Sequence, residues 1–387
     1  MIGFQLDEEH EILRKTVEDF ARTAVAPAIG DLYKRDEFPY DLVAEMGRMG
    51  LFGLPFEPEY GGGGRGFLAL CVALEELARV DTSVAITLSA GVSLGAMPIH
   101  RFGTPEQKER WMPGLCSGTA LSAFGLTEPG GGTDVAGLAT TAVRDGDDWV
   151  INGAKSFITN SGTDITRLVT VTAVTGVRAD GRQDASTIVV PSGTPGFEVA
   201  PKYSKAGWNS SDTRGLTFTD VRVPAGNLLG REGRGLSQFL SVLDESRIAI
   251  SAVGAGIAQG CVDESVRHAK ERAAFGRSIG ANQAIQFKIA DMEVRAHSAR
   301  LAYYDAVTRM LRGEPFAKEA SIAKLVSSGA AMDNARDATQ IFGGYGCIND
   351  YPVARFYRDA KVLEIGEGTS EVQRMLIARG LGLPNAA

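Results

Sequence analysis

The sequence predicts an α+β protein that is mainly α: an N-terminal helical domain, a middle antiparallel β domain and a C-terminal helical bundle. Three observations carry this. Through the first third, apolar residues recur at spacings of three and four, the period of a half-buried helix. Between residues 149 and 223 the pattern changes to β-branched and aromatic runs bounded by Gly, Asp, Asn and Pro. From Gly235 the helical period returns and persists.

In Leu6 to Val25 the apolar positions Ile12, Leu13, Val17, Phe20 and Ala21 mark the first helix. Residues 39–50 continue the period and end on a glycine, a common helix stop. Further helices are expected over Phe67 to Ala78, near Ser83 to Phe102, and from Pro105 to Met112. The strands are W-V-I at 149–151, L-V-T-V-T-A-V at 168–174, T-I-V-V-P at 187–191 and L-T-F-T-D-V-R-V at 216–223. Alternation slips between Phe218 and Val221, which predicts a bulge. No segment of helical crossover length separates these runs, so the sheet should be largely antiparallel. Beyond it, Phe239, Leu240, Leu243, Ile250, Val253, Ile257 and Cys261 share one helix face. Ile285, Ile289 and Met292 mark a second helix, and Ile322, Leu325 and Val326 a third. Such faces suit a bundle or a subunit interface. The domain boundaries expected are 1–118, 119–228 and 229–387.

Composition narrows the function. A net charge of −7 over 387 residues gives no basic signature of a nucleic-acid binder. Cys71, Cys116, Cys261 and Cys347 stand singly, without metal or redox spacing, and the four histidines form no cluster, so no metal site is expected. No apolar run reads as a membrane span, and the start M-I-G-F-Q-L-D-E-E-H lacks a basic, apolar leader; a cytoplasmic location is expected.

The 47 glycines cluster, and each cluster has a plain reading beside a functional one. G-G-G-G-R-G at 61–66 matches the dinucleotide pattern but follows a helix and a turn, not a strand, so a flexible surface or substrate-edge loop is favoured. T-E-P-G-G-G-T-D at 127–134 follows a short strand-like run and is either a β-turn or a loop offering backbone N–H groups to a ligand. Q-I-F-G-G-Y-G at 340–346 reads as a glycine C-cap and turn. In E-R-A-A-F-G-R-S-I-G at 271–280, Arg272 and Arg277 flank an exposed-looking Phe275; this is a solvated helix end or a phosphate contact through a guanidinium fork. E-I-G-E-G-T-S-E-V-Q-R at 364–374 sets Glu367 between two glycines just before a helix. That acid is a loop residue or a base on backbone that a ligand must approach.

Taken together, T-E-P-G-G-G-T-D, K-S-F-I-T-N at 155–160, S-D-T-R-G at 211–215, A-F-G-R-S-I at 274–279, Q-I-F-G-G-Y-G and E-G-T-S-E-V-Q-R resemble the acyl-CoA dehydrogenases. The likeness runs nearly the whole length, P-E-Y-G-G-G-G included. It implies a C-terminal four-helix bundle, FAD as cofactor, an acyl-CoA substrate, an electron-transferring flavoprotein as acceptor and a homo-oligomer, at least a dimer and commonly a tetramer. The segment from Phe124 through Leu126, Thr127 and Gly132 to Thr133 would cradle the flavin, with Thr133 also near the CoA arm. Phe157, Ile158 and Thr159 would flank it. Arg272, Phe275, Gln283, Gln340, Gly343 and Gly344 would hold the ADP half of FAD in a neighbouring subunit, and Thr369 and Glu371 would lie near FAD. Asp244, Arg247, Gly366, Gly368 and Ala90 would meet the substrate. Departures are Thr133 where the family usually has Ser, Phe157 where Trp is commoner, and Gly366 where many straight-chain enzymes carry Tyr.

The implied reaction removes an α-proton from the thioester and passes a β-hydride to flavin N5. Its base aligns with Glu367, and a dry site should raise that carboxyl's pKa. Glu364 is expected to be structural. Glu371 should sit in the first turn of a helix whose capping box is Ser370 with Gln373. A minority branch carries its base in L-D-E-S-R; here Ser246 holds that place, and Glu245 beside it should point away, since one residue turns a helix side chain by about 100°. Gly366 and small Ala90, on the same helix as Thr87 and Leu88, lead to the expectation of a roomy pocket for medium, long or branched chains. The rival readings are an acyl-CoA oxidase or related flavin oxidase or monooxygenase on this fold, and a non-catalytic binding protein that would be expected to lose the base or the flavin loop.

Overall fold

The computed structural model describes residues 5–135 and 137–384; the first four residues of the N-terminal segment read above lie outside them. The helices come first. They are α1 (Glu8–Phe20), α2 (Ala26–Arg35), α3 (Tyr40–Arg48), α4 (Gly66–Ala78), α5 (Thr82–Ser89), α6 (Met97–Phe102) and α7 (Pro105–Cys116). Asp7 caps α1 by accepting from the His10 amide, and Thr104 with Gln107 forms a capping box on α7. A π-helical stretch, Ala90–Ala96, joins α5 to α6 without a break.

The continuous helix Thr82–Phe102 is long and apolar enough to cross a membrane by length and composition. That corrects the sequence reading, which found no such run. The helix is nevertheless a core element, because 94% of its apolar window is buried inside the protein.

Next comes a sheet of β1 (Leu121–Gly125), β2 (Thr141–Asp145), β3 (Asp148–Thr159), β4 (Thr166–Val177), β5 (Gln183–Pro191), β6 (Phe197–Val199), β7 (Thr213–Pro224) and β8 (Leu228–Leu229). Its order is β6-β7-β3-β2-β4-β5-β8, with β1 on β4. Pairing is antiparallel except where β1 and the start of β2 meet β4. The expected bulge is present: Ile151 pairs with Val221 but Gly153 with Phe218, and the extra residue lets both Phe218 and Val221 face the core.

The remaining chain forms α8 (Gly235–Glu271), a two-strand hairpin β9 (Ala273–Ala274) and β10 (Arg277–Ser278), then α9 (Gln283–Leu311), α10 (Ala317–Phe342), α11 (Pro352–Leu363) and α12 (Ser370–Gly380). Helices α8, α9 and α10 pack on one another, and α11 and α12 pack against α10. The N-terminal helices share a single apolar core with this bundle, chiefly through α4 on α8, while the sheet keeps a core of its own.

Two expected faces differ. Leu240, Ile322 and Val326 are exposed, at 37%, 36% and 37%. The buried side of α10 is made instead of small residues such as Ala320, Ala323, Ser327, Ala331, Ala335 and Ala338, which let neighbouring backbones approach closely. Helix α11 escaped the periodicity reading because Arg355 and Asp359 interrupt its apolar stripe, and both are buried.

Candidate active site

The Glu367 loop joins α11 to α12. Gly366 N donates to the Val362 carbonyl at 2.9 Å, ending α11, and Ser370 N donates to the Glu364 carbonyl at 3.0 Å, closing the loop. Between them Glu367 holds a left-handed backbone, φ 56°, which a side chain with Cβ adopts only under constraint. The constraint is visible. Lys324 Nζ donates to the Gly368 carbonyl at 2.8 Å, and Gln373 Nε2 donates to the same oxygen at 2.9 Å.

Gly368 itself lies at φ +92°, and a Cβ there would meet Gln373 Nε2 at 2.8 Å, so this position requires glycine. Gly366 does not. A Cβ there would make ordinary contacts, 3.4 Å to the Val362 carbonyl and 3.6 Å to Trp208 Cη2. The two glycines therefore do different work: one is a backbone necessity, the other a choice of side chain.

Thr369 caps α12, its hydroxyl accepting from the Val372 amide at 3.2 Å. This replaces the expected Ser370 and Gln373 box; Gln373 is engaged with the loop carbonyls instead. Glu371 sits in the first turn of α12, solvent-exposed, its carboxyl held below its usual range chiefly by the amide at the helix start and the Thr369 hydroxyl. Glu364 sits in the turn that follows α11 and pairs with Lys361 at 2.7 Å.

Glu367 is half-buried as a residue, and burial of its carboxyl raises the pKa to about 7 against the opposing pull of Ser246, Lys324 and Arg247. Ser246 Oγ on α8 donates to Glu367 Oε2 at 2.6 Å. Lys324, 1% exposed in the first third of α10, is pulled down to about 8 by burial. Arg247 is buried and bonds Asp244; its Nε finds no partner among the described residues, leaving a spare donor. Glu245 faces away, bonded to Arg101, as helix geometry required.

Trp208 stands on the other side of Gly366. Its backbone is also left-handed, φ 58°, and is anchored where its N–H donates to Asp359 Oδ1 at 2.7 Å, an oxygen that also accepts from Tyr33 Oη at 3.0 Å. Ala90, at the start of the π-helical stretch, is buried, and the Thr87 carbonyl accepts from Asn160 Nδ2 at 3.0 Å.

The Phe124–Thr133 segment leaves β1 and is held by a buried ion pair. Lys155 Nζ on β3 lies 2.7 Å from Glu128 Oε1 and donates to the Leu126 carbonyl at 3.1 Å; Glu128 also accepts from the Ala139 and Thr140 amides. Burial opposes charge on both partners, but the hydrogen bonds keep the Glu128 carboxyl below its usual range. Phe124 stacks on Phe239 of α8 with ring centroids 3.8 Å apart, and Leu126 is buried. Thr127 is half-buried, while Gly132 and Thr133 are exposed.

Across the loop, Phe157 has φ 61° and a ring 67% exposed, 5.5 Å from Tyr203. Ile158 is buried and Thr159 half-buried beside it. A strained, largely uncovered aromatic next to Ser156, whose N–H donates to the Thr127 carbonyl at 2.8 Å, fits a planar, aromatic cofactor such as a flavin.

The remaining predicted residues lie elsewhere. Arg272 ends α8, with its guanidinium 5.7 Å from the Tyr345 ring in the Gly343–Cys347 turn, and Phe275 at the β9-β10 turn is fully exposed. Gln340 closes α10, Gly343 is its C-cap, Gly344 follows, and Gln283 opens α9. Ser246 and the C-terminus of α8 are separated by 25 residues of helix, roughly 37 Å at the standard rise. One chain therefore does not bring this group to Glu367.

The glycine loop at 61–66 is not the flexible loop expected. Gly63 N, Gly64 N and Arg65 N donate to the Gly53, Phe56 and Leu54 carbonyls, each at 2.8 Å, so they are not offered to a ligand. Glu128, Lys155, Lys324, Trp208 and Ser93 were given no role from sequence. The available signal was charge in the wrong place: a lysine inside a strand and another inside an apolar helix.

The N-terminal, middle and C-terminal domain models of the acyl-CoA dehydrogenases match residues 7–119, 123–221 and 233–382. A probable acyl-CoA dehydrogenase of Bacillus subtilis, YngJ, is 45% identical over 98% of this chain and 100% of its own length. The butyryl-CoA dehydrogenase structure from Megasphaera elsdenii superposes with a TM-score of 0.94 at 41% identity, covering 98% of this chain and 100% of the other. A chain solved in work on the electron transferring flavoprotein of Acidaminococcus fermentans and flavin-based electron bifurcation gives 0.94 at 40% identity, covering 98% and 99%. On fold, motifs and site together, this chain belongs to the acyl-CoA dehydrogenase family of FAD-dependent oxidoreductases.

Proposed function

We propose that the protein dehydrogenates a short-chain acyl-CoA thioester between its α and β carbons, with Glu367 as the base. One observation carries this reading: Glu367 is locked in a left-handed turn by Lys324 and Gln373, with its pKa raised to about 7. A carboxyl titrating near neutrality is matched to proton abstraction at working pH. FAD, when bound, supplies the acceptor for the β-hydride. The chain's own residues do the rest. Glu367 takes the α-proton. Its backbone N–H, between two glycines, is the donor proposed for the thioester oxygen as enolate charge develops. Phe157, Ile158, Thr159 and the Phe124–Thr133 loop hold the flavin, the loop fixed by Lys155 and Glu128. Arg247 and Asp244, joined by their hydrogen bond, are proposed for the CoA side.

The short-chain reading replaces the roomy pocket drawn from Gly366. Two things support it. The similar Megasphaera elsdenii structure is a butyryl-CoA dehydrogenase. Within this chain, Trp208 Cη2 lies 3.6 Å from where a Cβ at Gly366 would stand, so the indole borders that space. An electron-transferring flavoprotein is the proposed acceptor, in keeping with the Acidaminococcus fermentans neighbour. The Arg272, Phe275, Gln283, Gln340, Gly343 and Gly344 group is proposed to serve the FAD of a second copy, since it stands a full helix length from its own Glu367. The organisation into 1–118, 119–228 and 229–387 follows the switch from helices to strands and back, although the first and third share a core.

The test is a panel of acyl-CoAs from butyryl to palmitoyl, with isobutyryl and isovaleryl, assayed with a dye acceptor and with oxygen. Turnover that peaks at butyryl or hexanoyl and needs the dye supports the reading. A palmitoyl or branched-chain optimum refutes the chain length, and equal turnover with oxygen alone refutes the acceptor.

A further inference from the structure

We propose that Ser246 and Ser93 form a hydroxyl relay that anchors one oxygen of Glu367 and reverses its hydrogen-bond direction when that carboxyl gains or loses its proton. Ser246 is a positioning residue in this account, and the proposal rests on the reading of Glu367 as the base.

The geometry is a chain of three contacts. Ser246 Oγ donates to Glu367 Oε2 at 2.6 Å, Ser93 Oγ and Ser246 Oγ are 3.1 Å apart, and Ser93 Oγ reaches the Ser89 carbonyl at 2.7 Å. Both serines are fully buried. They come from different elements: Ser246 from α8, and Ser93 from the π-helical stretch whose wider turn sets side chains out of ordinary helical phase.

Counting protons shows why the arrangement has two states. A hydroxyl carries one proton and accepts through its lone pairs. When Glu367 is ionised, Ser246 donates to Oε2 and accepts from Ser93. When the carboxyl is protonated on Oε2, its O–H donates to Ser246; the Ser246 proton turns to Ser93, and the Ser93 proton to the Ser89 carbonyl. Neither state leaves a buried hydroxyl unpaired, and an unpaired buried donor is what would make one state expensive.

The charges facing Glu367 are fixed on other elements. Arg247 stands on α8, paired with Asp244, and Lys324 stands on α10, with Glu364 and Glu371 beyond it. The π-helical stretch presents the Ser93 hydroxyl, and the loop before β7 presents the Trp208 indole. The relay is therefore the adjustable part of the surroundings.

The experiment titrates the Glu367 carboxyl of the FAD-loaded, substrate-free protein by infrared difference spectroscopy, its band identified by subtracting Glu367→Gln. The pH profile of kcat/KM with butyryl-CoA is measured alongside. Ser246→Ala removes the donor to the carboxylate and should move the titration upward by about one pH unit. Ser93→Ala removes the acceptor that Ser246 needs in the protonated state; it leaves Ser246 donating to the carboxylate and should move the titration downward. Ser246→Thr keeps the hydroxyl and should titrate like the parent. Opposite shifts in the two alanine variants support the relay. An unmoved titration in either alanine variant, or shifts of the same sign in both, overturns it. If Glu367→Gln retained full turnover, the base assignment would fail on its own, because the infrared titration needs no turnover.

Discussion

Replacing Glu367 by Gln should make the protein more stable at pH 8 while leaving its stability near pH 4.5 little changed. The reasoning is linkage. Burial raises the folded carboxyl from an ordinary 4.5 to about 7. A group whose folded pKa is raised adds stability below its unfolded value, and that contribution is lost as pH rises through the folded value. Between pH 4.5 and 7 the unfolded chain ionises this glutamate while the folded chain holds it neutral. At about 1.36 kcal/mol per pH unit the full effect is about 3 kcal/mol. The residue as a whole is only half-buried, so solvent screening reduces the expected gain to about 1–2 kcal/mol. Denaturant or thermal unfolding of the FAD-loaded pair at pH 5 and pH 8 measures it. The reasoning is refuted if the variant is equally or less stable than the parent at pH 8, or if the gap does not widen with pH.

Three further outcomes are expected. Gly368→Ala should cost at least tenfold in kcat with FAD content unchanged, because its Cβ meets Gln373 at 2.8 Å at a positive φ; FAD absorbance and steady-state rates separate the two. Lys155→Met leaves Glu128 buried without its cation and should destabilise the fold by about 3–5 kcal/mol, with loss of retained flavin on gel filtration. Trp208→Ala should raise kcat/KM for octanoyl-CoA relative to butyryl-CoA, by about tenfold for each 1.4 kcal/mol of relieved contact; an unchanged ratio would remove Trp208 from the pocket.

How far the sequence could be read depended on whether pattern and burial agreed. The strands and the bulge between Phe218 and Val221 were legible because alternation follows the pleat directly. The unusual turn at Glu367 and Gly368 was legible because glycine clusters mark unusual backbone, and the φ values there bear that out. Periodicity misled where apolar residues face outward, as at Leu240, Ile322 and Val326, and where polar residues are buried, as at Arg355, Asp359 and Lys324. A scale that reads polarity as exposure cannot see an ion or hydroxyl placed inside for its chemistry. Gly366 shows a second limit. The missing side chain was visible, but Trp208, more than 150 positions away in the chain, borders the space it leaves, and only the fold brings the two together.

The most direct test of the central claim is anaerobic flavin reduction by butyryl-CoA in a single turnover, comparing the parent with Glu367→Gln at matched FAD content. The account predicts that the variant binds FAD and the thioester but loses at least a thousandfold in the rate of flavin bleaching, within the range set by loss of a general base. Bleaching at the parent rate in Glu367→Gln would contradict it.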